Sequence, residues 1–194
     1  MLKKIVIIGP ESTGKSTLCE QVAKHYETLW CPEYARAYLL KHGNKYNYDN
    51  LLTIAMGQIA LESEYIEKVN SQWSMVNKNP PTNSPFTIHQ SLLFTDTNMY
   101  VMKVWCEFVF GKCPPYIQDQ IKERKYDLYL LCNTDLPWIK DELREYPDLK
   151  TRERLYHIYK DLMIGQEVPW IEINGNNEDR LLKAITTIDL FLKN

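Results

Sequence analysis

The sequence has few cysteines, and they follow no metal-binding or disulfide pattern. The five cysteines form no C-x-x-C pair, and the four histidines are scattered without the spacing of metal ligands. Long hydrophobic runs are also lacking, since no stretch approaches the length of a membrane span or a signal peptide. These absences argue against a zinc protein and a secreted disulfide scaffold. We therefore expect a cytoplasmic protein without a membrane partner.

An excess of charge of one sign is lacking too. The formal net charge is -2 over 194 residues, which gives no general attraction for nucleic acid, and we expect no nucleic-acid partner. The length and a hydrophobic content of 44% suit one domain with one sizeable core better than two domains. We predict a single domain over residues 1–194.

Glycine is scarce, yet two of the seven glycines stand in one short stretch, G-P-E-S-T-G-K-S at residues 9–16. This stretch fits the phosphate-loop pattern and follows the apolar run at residues 5–8. Its glycines let backbone N–H groups converge on an anion, Lys15 supplies a point charge, and the hydroxyl of Ser16 suits Mg²⁺. A chance glycine-rich turn is the alternative. We predict ATP as the cofactor, bound by Gly9, Glu11, Ser12, Thr13, Gly14, Lys15, Ser16 and Thr17.

Apolar runs alternate with helical patterns along the chain, which is typical of βαβ units around a parallel sheet. Strands are predicted at residues 3–8, 28–31, 92–97, 126–132 and 168–173, and helices at 15–23, 33–43, 48–70, 98–110, 114–125 and 177–192. We predict the α/β class, with the P-loop NTPase fold of three α/β/α layers around a five-stranded parallel sheet. Residues 71–90 contain three prolines and predict an irregular insertion, either mobile or functional.

A second candidate functional residue lies at the end of the predicted strand at residues 92–97. Asp96 ends this apolar run, and beside a phosphate loop a carboxylate there is suited to Mg²⁺, directly or through water. The alternative is that Asp96 caps the helix that begins near Asn98. We predict Mg²⁺ as a second cofactor, with Ser16 and Asp96 as the protein ligands.

Basic residues are clustered after the strand at residues 126–132. Arginines brought over a γ-phosphate stabilise the charge on its oxygens during transfer, which is the role of an arginine-bearing lid. Arg152 and Arg154 also fall on a helical pattern with Glu142, Glu145 and Glu153 nearby, so spacing alone favours a solvated helix face with ion pairs.

Five motifs together resemble one known family. They are G-P-E-S-T-G-K-S at 9–16, P-E-Y-A-R at 32–36, T-D-T at 95–97, D-L-P-W at 135–138 and D-E-L-R at 141–144. This combination is similar to the nicotinamide riboside kinase domain of the bacterial NAD-biosynthesis regulator family, within the P-loop kinase superfamily. The similarity spans nearly the whole chain, and the second, fourth and fifth motifs are more specific than the phosphate loop. The resemblance implies transfer of phosphate from ATP, with Mg²⁺, to the 5′-hydroxyl of nicotinamide riboside.

The resemblance also implies roles for single residues. Glu33 is the candidate base that accepts the proton of the attacking hydroxyl, and Arg36 is expected to hold the transferred phosphate or the ribose. A structural ion pair between Glu33 and Arg36 is the rival interpretation. The expected catalytic set is Lys15, Glu33, Asp96, Arg144 and Arg152.

The resemblance implies that Arg144 and Arg152 occupy lid positions of the family, which places the lid at about residues 138–155 and reverses the interpretation from spacing alone. Trp138 is expected to border the nucleoside, although it equally suits a core anchor beneath the lid. The expected substrate contacts are Glu33, Tyr34, Arg36, Asp96, Asp135 and Trp138.

The sequence departs from the family at Pro32, where one branch has an aromatic residue able to stack on the nicotinamide ring. Tyr34, Trp105 and Trp138 are the candidate replacements. The larger family members also carry a helix-turn-helix domain and a nucleotidyltransferase domain, whose H-x-G-H-type element has no counterpart here. We predict a nucleoside kinase of NAD biosynthesis, with a small-molecule nucleoside as its partner. The alternatives are a kinase for another nucleoside or small metabolite, and a non-catalytic ATP-binding regulatory module.

Overall fold

The computed structural model describes residues 2–78 and 91–193, and within them five strands form one sheet. The order across the sheet is β2-β3-β1-β4-β5, and every pair of neighbouring strands is parallel. The predicted five-stranded parallel sheet is therefore confirmed. The strands are β1 (Lys3–Ile8), β2 (Trp30–Cys31), β3 (Leu92–Asp96), β4 (Leu128–Cys132) and β5 (Trp170–Ile173).

Helices cover both faces of the sheet. They are α1 (Lys15–His25), α2 (Tyr34–His42), α3 (Tyr48–Lys78), α4 (Met99–Phe110), α5 (Pro115–Glu123), α6 (Leu149–Ile164) and α7 (Asn177–Lys193). A hydrophobic core lies on each face of the sheet. Alternate residues of β1 belong to different cores, because successive side chains of a strand point to opposite faces. Ile5 and Ile7 pack with buried residues of α1 and α7, whereas Val6 and Ile8 pack with those of α4 and α6. The three-layer arrangement follows from this alternation.

Helix α3 is longer than its sequence pattern predicts. It continues through residues 71–78, which we assigned to an irregular insertion, and that part of the prediction is wrong. The prolines begin only at Pro80, so nothing before residue 79 removes a backbone donor from the helix. The rest of the predicted insertion, residues 79–90, lies outside the described residues. No helix in the described part of the chain is both long and apolar enough to cross a membrane.

The sheet brings the loops that carry the chemistry to one edge. β1 lies between β3 and β4, so the loops after these three parallel strands all leave from the carboxyl edge of the sheet. Close packing explains the glycine at the start of the phosphate loop. Gly9 has a φ of 141°, and a Cβ added there would lie 2.7 Å from the carbonyl oxygen of Cys132.

Candidate active site

The phosphate loop joins β1 directly to α1. Gly14, in the left-handed conformation with a φ of 76°, precedes the first residue of α1, which is Lys15. The carbonyl oxygen of Pro10 accepts hydrogen bonds from the Thr13 hydroxyl and the Lys15 ammonium, each at 2.7 Å. A turn of this shape at a helix N-terminus directs backbone N–H groups and the positive end of the helix dipole at a bound anion.

A cavity of about 390 Å³ opens in front of this loop. Every residue from Gly9 to Thr17 lines it, and so do four carboxylates and several aromatic rings from distant parts of the chain. Among the predicted site residues outside the loop, those that line the cavity are Glu33, Arg36, Asp96 and Arg144.

Asp96 stands at the carboxyl end of β3 and is fully buried. Neither of its carboxylate oxygens has a hydrogen-bond partner, and burial raises the pKa of the group, while the Lys15 ammonium and the Ser16 hydroxyl lower it. The cap of α4 is Asn98 instead, whose side chain accepts from the N–H of Tyr100 at 3.0 Å. An unpaired buried carboxylate is costly unless a cation or a donor meets it, so the geometry favours the metal interpretation over the helix cap.

Glu33 immediately precedes α2, and its side chain makes no capping hydrogen bond there. Its pKa is raised to about 7, first by burial and then by the negative charge of Asp96, while Lys15 and Arg36 act in the opposite direction. A carboxyl group with a pKa near neutrality is matched to accepting a proton at physiological pH. Glu33 therefore has the chemistry of a general base.

Arg36 does not make the ion pair that we considered with Glu33. Its guanidinium donates to the carboxylate of Asp141, with Nη2 to Oδ2 at 2.9 Å and Nη1 to Oδ1 at 3.4 Å. This hydrogen bond, together with one from the Leu143 N–H, holds the pKa of Asp141 below its usual range. Arg36 thus connects α2 to the chain between β4 and α6.

That chain, residues 133–148, is named here the β4–α6 connection, and the phosphate loop holds it in place. The Glu11 carboxylate accepts from the N–H groups of Glu145 at 3.0 Å and Tyr146 at 2.5 Å. The Ser12 hydroxyl accepts from the Ile139 N–H at 3.0 Å. Ser12 has a φ of 57°, which is uncommon for a residue with a side chain, and this contact helps to hold it there.

The two predicted lid arginines lie in different surroundings. Arg144 donates from Nη1 to the Ile139 carbonyl at 2.5 Å and to the Ser12 hydroxyl at 3.4 Å, and it lines the cavity. Arg152, on α6, is 4% exposed, so it does not lie on a solvated helix face. Its Nη1 donates to the Leu136 carbonyl at 3.4 Å, its Nε has no partner, and it is not among the described residues that line the cavity.

Three expected substrate contacts lie elsewhere and are likewise not among the described lining residues. The ring of Tyr34 covers Gly57 of α3, where an added Cβ would lie 2.1 Å from it. Asp135 forms an ion pair with Arg180 and accepts from the Gly175 N–H at 2.6 Å. The indole N–H of Trp138 is buried without a partner. The structure therefore does not bring these three residues to the cavity with Glu33 and Asp96.

An aromatic wall completes the cavity. The indole N–H of Trp105 donates to the Tyr46 hydroxyl at 2.9 Å, and that hydroxyl donates to Glu145 at 2.8 Å. Phe108 and Tyr146 also line the cavity, with their rings edge to face at 5.4 Å. Sequence reasoning named Trp105 only as one candidate platform and missed the other three rings. Phe108 lies one turn after Trp105 on α4, a spacing that could have indicated it, whereas Tyr46 and Tyr146 come from separate segments that only the fold brings together.

A phosphate loop after the central strand, an acid after its neighbour and the strand order β2-β3-β1-β4-β5 define a P-loop kinase fold. The family comparison agrees with this class, since the AAA domain family matches residues 4–180. The chain belongs to that family.

Two curated relatives match over most of the chain. The trifunctional NAD biosynthesis/regulator protein NadR of Escherichia coli is 23% identical over 96% of this chain, and that of Salmonella typhimurium is 23% identical over the same share. The chain spans 42% of the length of each. The resemblance that the motifs indicated is thereby confirmed.

Solved structures show the same fold. A NadR protein in complex with NAD and AMP-PNP has a TM-score of 0.71 at 20% identity, covering 99% of this chain and 50% of that one. A NadR protein in complex with NR has a TM-score of 0.66 at 19% identity, with 99% and 52% covered. Thymidylate kinase from Ehrlichia chaffeensis has a TM-score of 0.64 at 14% identity, with 97% and 98% covered. These likenesses show that the chain has the fold of a P-loop kinase.

Proposed function

We propose that this protein is an ATP- and Mg²⁺-dependent kinase that phosphorylates the 5′-hydroxyl of nicotinamide riboside to give nicotinamide mononucleotide. The observation that carries the proposal is the shared cavity, in which the phosphate loop meets Glu33 and Asp96 beside an aromatic wall. A donor phosphate and an acceptor hydroxyl need such a site, because phosphoryl transfer depends on holding both in line. The five cysteines are free thiols, in keeping with the cytoplasm as the proposed location.

The residues present fit a magnesium ion. The two buried, unpartnered oxygens of Asp96 and the nearby hydroxyl of Ser16 are hard oxygen donors of the type that Mg²⁺ prefers. Protein sites for Mg²⁺ commonly use only one or two carboxylates, with substrate phosphates completing the shell. When bound, the ion would neutralise charge that develops on the phosphates.

The chain's own residues supply the remaining chemistry. Lys15 would turn from the Pro10 carbonyl to the β- and γ-phosphates, and Glu33 would accept the proton that leaves the acceptor hydroxyl. Arg144 lies at the cavity wall and would stabilise the transferring group. Arg152, buried with an unpartnered Nε, would reach this group only after movement of residues 138–155, which we propose as the lid.

The aromatic wall supports a nucleoside acceptor with a flat base. Trp105 and Tyr46 pack edge to face with ring centroids 5.0 Å apart, their polar atoms are hydrogen-bonded, and both line the cavity, where we expect their rings to contact the base. Glu142 and Glu145 add negative charge to the same wall, which favours the positively charged pyridinium ring of nicotinamide riboside. The solved NadR complex with NR supports the same choice.

The test is a panel of acceptors incubated with the purified chain, ATP and Mg²⁺, with ADP and phosphorylated product both measured. The panel contains nicotinamide riboside, neutral nucleosides and thymidylate, the last because of the thymidylate kinase neighbour. We expect turnover of nicotinamide riboside above all others. Preferred turnover of another acceptor would show a kinase of different specificity, and tight ATP binding without any turnover would show a regulatory module.

A further inference from the structure

Arg180, on α7, is a buried arginine outside the cavity whose side chain joins three loops. It is 2% exposed. Its Nη1 donates to the Thr13 carbonyl at 2.8 Å, its Nη2 to the Asn133 carbonyl at 3.0 Å and its Nε to the Gly175 carbonyl at 2.8 Å. One guanidinium thus contacts the loops that follow β1, β4 and β5.

The bond to Thr13 determines the direction of a peptide in the phosphate loop. No peptide of the described residues is cis, and in a trans peptide the C=O and N–H groups point in opposite directions. Because the Thr13 carbonyl points to Arg180, the N–H of Gly14 points away from it. Gly14 lines the cavity, and its left-handed φ lets this peptide adopt that orientation. Arg180 therefore orients the N–H of Gly14, one donor of the anion-binding turn, from the side of the loop opposite the cavity.

Asp135 fixes the guanidinium in turn. Its carboxylate pairs with Nη2 of Arg180 and also accepts from the Gly175 N–H at 2.6 Å. A buried guanidinium needs such a counter-charge, and its planar fork needs several acceptors in fixed directions. A lysine at this position would keep the charge but lose the simultaneous contacts with three loops.

We propose that Arg180, held by Asp135, is a positioning residue for the nucleotide: it keeps the Thr13–Gly14 peptide in the phosphate-binding orientation. The proposal rests on the proposed function only in that nucleotide binds the phosphate loop. Neither residue is among the described residues that line the cavity, so we expect neither to contact the acceptor directly.

The test is the equilibrium dissociation constant of AMP-PNP with Mg²⁺, measured for the wild type, Arg180→Lys and Asp135→Asn. We expect Arg180→Lys to raise it about 10-fold or more, because hydrogen bonds from a charged group to the loop are lost. We expect Asp135→Asn to raise it about threefold or more, since an amide no longer balances the buried charge. The dissociation constant of the acceptor nucleoside should rise by a smaller factor than that of AMP-PNP in both variants.

Arg124→Lys is the matched control. Arg124 also joins a carboxylate, that of Glu62 at 3.5 Å, and a backbone carbonyl, that of Ile59 at 3.4 Å, but these two partners lie on α3 and its Nε donates to Gln120 of α5 at 3.2 Å, so it does not contact the phosphate loop. If Arg180 has a purely structural role, both arginine variants should have a lower thermal midpoint and the same dissociation constant for AMP-PNP as each other. We expect binding to weaken in Arg180→Lys only.

An AMP-PNP dissociation constant in Arg180→Lys within about twofold of wild type would overturn the proposal. If Arg180→Lys does not fold, wild-type binding by Asp135→Asn overturns it instead. Because binding is measured without turnover, the outcome is separate from the proposed reaction. Weakened binding in a protein that phosphorylates no acceptor would keep the role of Arg180 and reject the kinase.

Discussion

The carboxylate of Glu11 in the phosphate loop accepts a hydrogen bond of 2.5 Å from the backbone N–H of Tyr146, a residue of the aromatic wall. The same carboxylate accepts from the neighbouring N–H of Glu145. The loop that we expect to bind ATP therefore also holds the wall that we expect to contact the acceptor. This contact predicts that a substitution in the loop changes the KM of the acceptor.

Replacing Glu11 by Ala should raise the KM of the acceptor about 10-fold, because the backbone N–H groups of Glu145 and Tyr146 lose their hydrogen-bond acceptor and the wall is held less firmly. The dissociation constant of AMP-PNP should change by less than about threefold, as the backbone of the loop is retained. Glu11→Gln should lie between wild type and Glu11→Ala, since its amide retains one acceptor oxygen. Equal fold-changes in the dissociation constant of AMP-PNP and the KM of the acceptor would contradict this division of roles.

Replacing Lys15 by Ala should lower kcat by about 10²-fold or more, because one charged donor to the transferring phosphate is lost. The ammonium already donates to the Pro10 carbonyl within the loop, so thermal denaturation of the variant should be measured beside its activity. Lys24→Ala, later on α1 and outside the described cavity lining, is the control and should keep wild-type kcat. A Lys15→Ala enzyme with near-normal kcat would reject the assignment.

Glu33→Gln should lower kcat by about 10²-fold or more if Glu33 is the general base. The pH profile gives a second readout. A base must be deprotonated to act, and the pKa of Glu33 is raised to about 7, so kcat/KM of the wild type should fall as pH decreases through neutrality. This acidic limb should be missing in the residual activity of Glu33→Gln. An unchanged limb in the variant would assign the titration to another group.

The same raised pKa has a consequence for stability. The folded protein binds a proton at Glu33 more tightly than the unfolded chain, whose Glu titrates near 4.5, so the free energy of unfolding decreases as pH rises from that value through about 7. Glu33→Gln removes the ionisation and should raise the thermal midpoint at pH 8 by about 2 °C or more relative to wild type. The difference should shrink toward pH 5. A midpoint that is lower in the variant at pH 8 would contradict the raised pKa.

Trp105→Ala should raise the KM of the acceptor about 10-fold or more and leave that of ATP nearly unchanged, because a stacking ring contributes to the acceptor side only. Trp170→Ala is the matched control, since Trp170 lies on β5 and is not among the described residues that line the cavity. It should lower thermal stability without a selective effect on the acceptor. A KM of the acceptor that is the same in both variants would remove Trp105 from the proposed platform.

Local patterns were sufficient to predict the phosphate loop, the strand that ends at Asp96 and the alternation that produces the sheet. Each of these is a contiguous stretch in which neighbouring residues decide the structure: glycines permit the turn, apolar runs form buried strands, and helical spacing covers their faces. The end of α3 was misjudged because the prolines that stop a helix were taken to act on residues 71–78 before them.

The sequence by itself thus determined the fold class, the phosphate loop between β1 and α1, and the place of Glu33 at the start of a helix. Only the tertiary structure decided which distant residues meet there. Arg36 pairs with Asp141, 105 residues away, and Arg180 contacts Thr13, 167 residues away. Such pairs depend on how helices and loops pack across the sheet, and the chain carries no local signal for that packing. The phosphate loop is encoded in eight consecutive residues, whereas the cavity wall that we propose for the acceptor forms only in the folded protein.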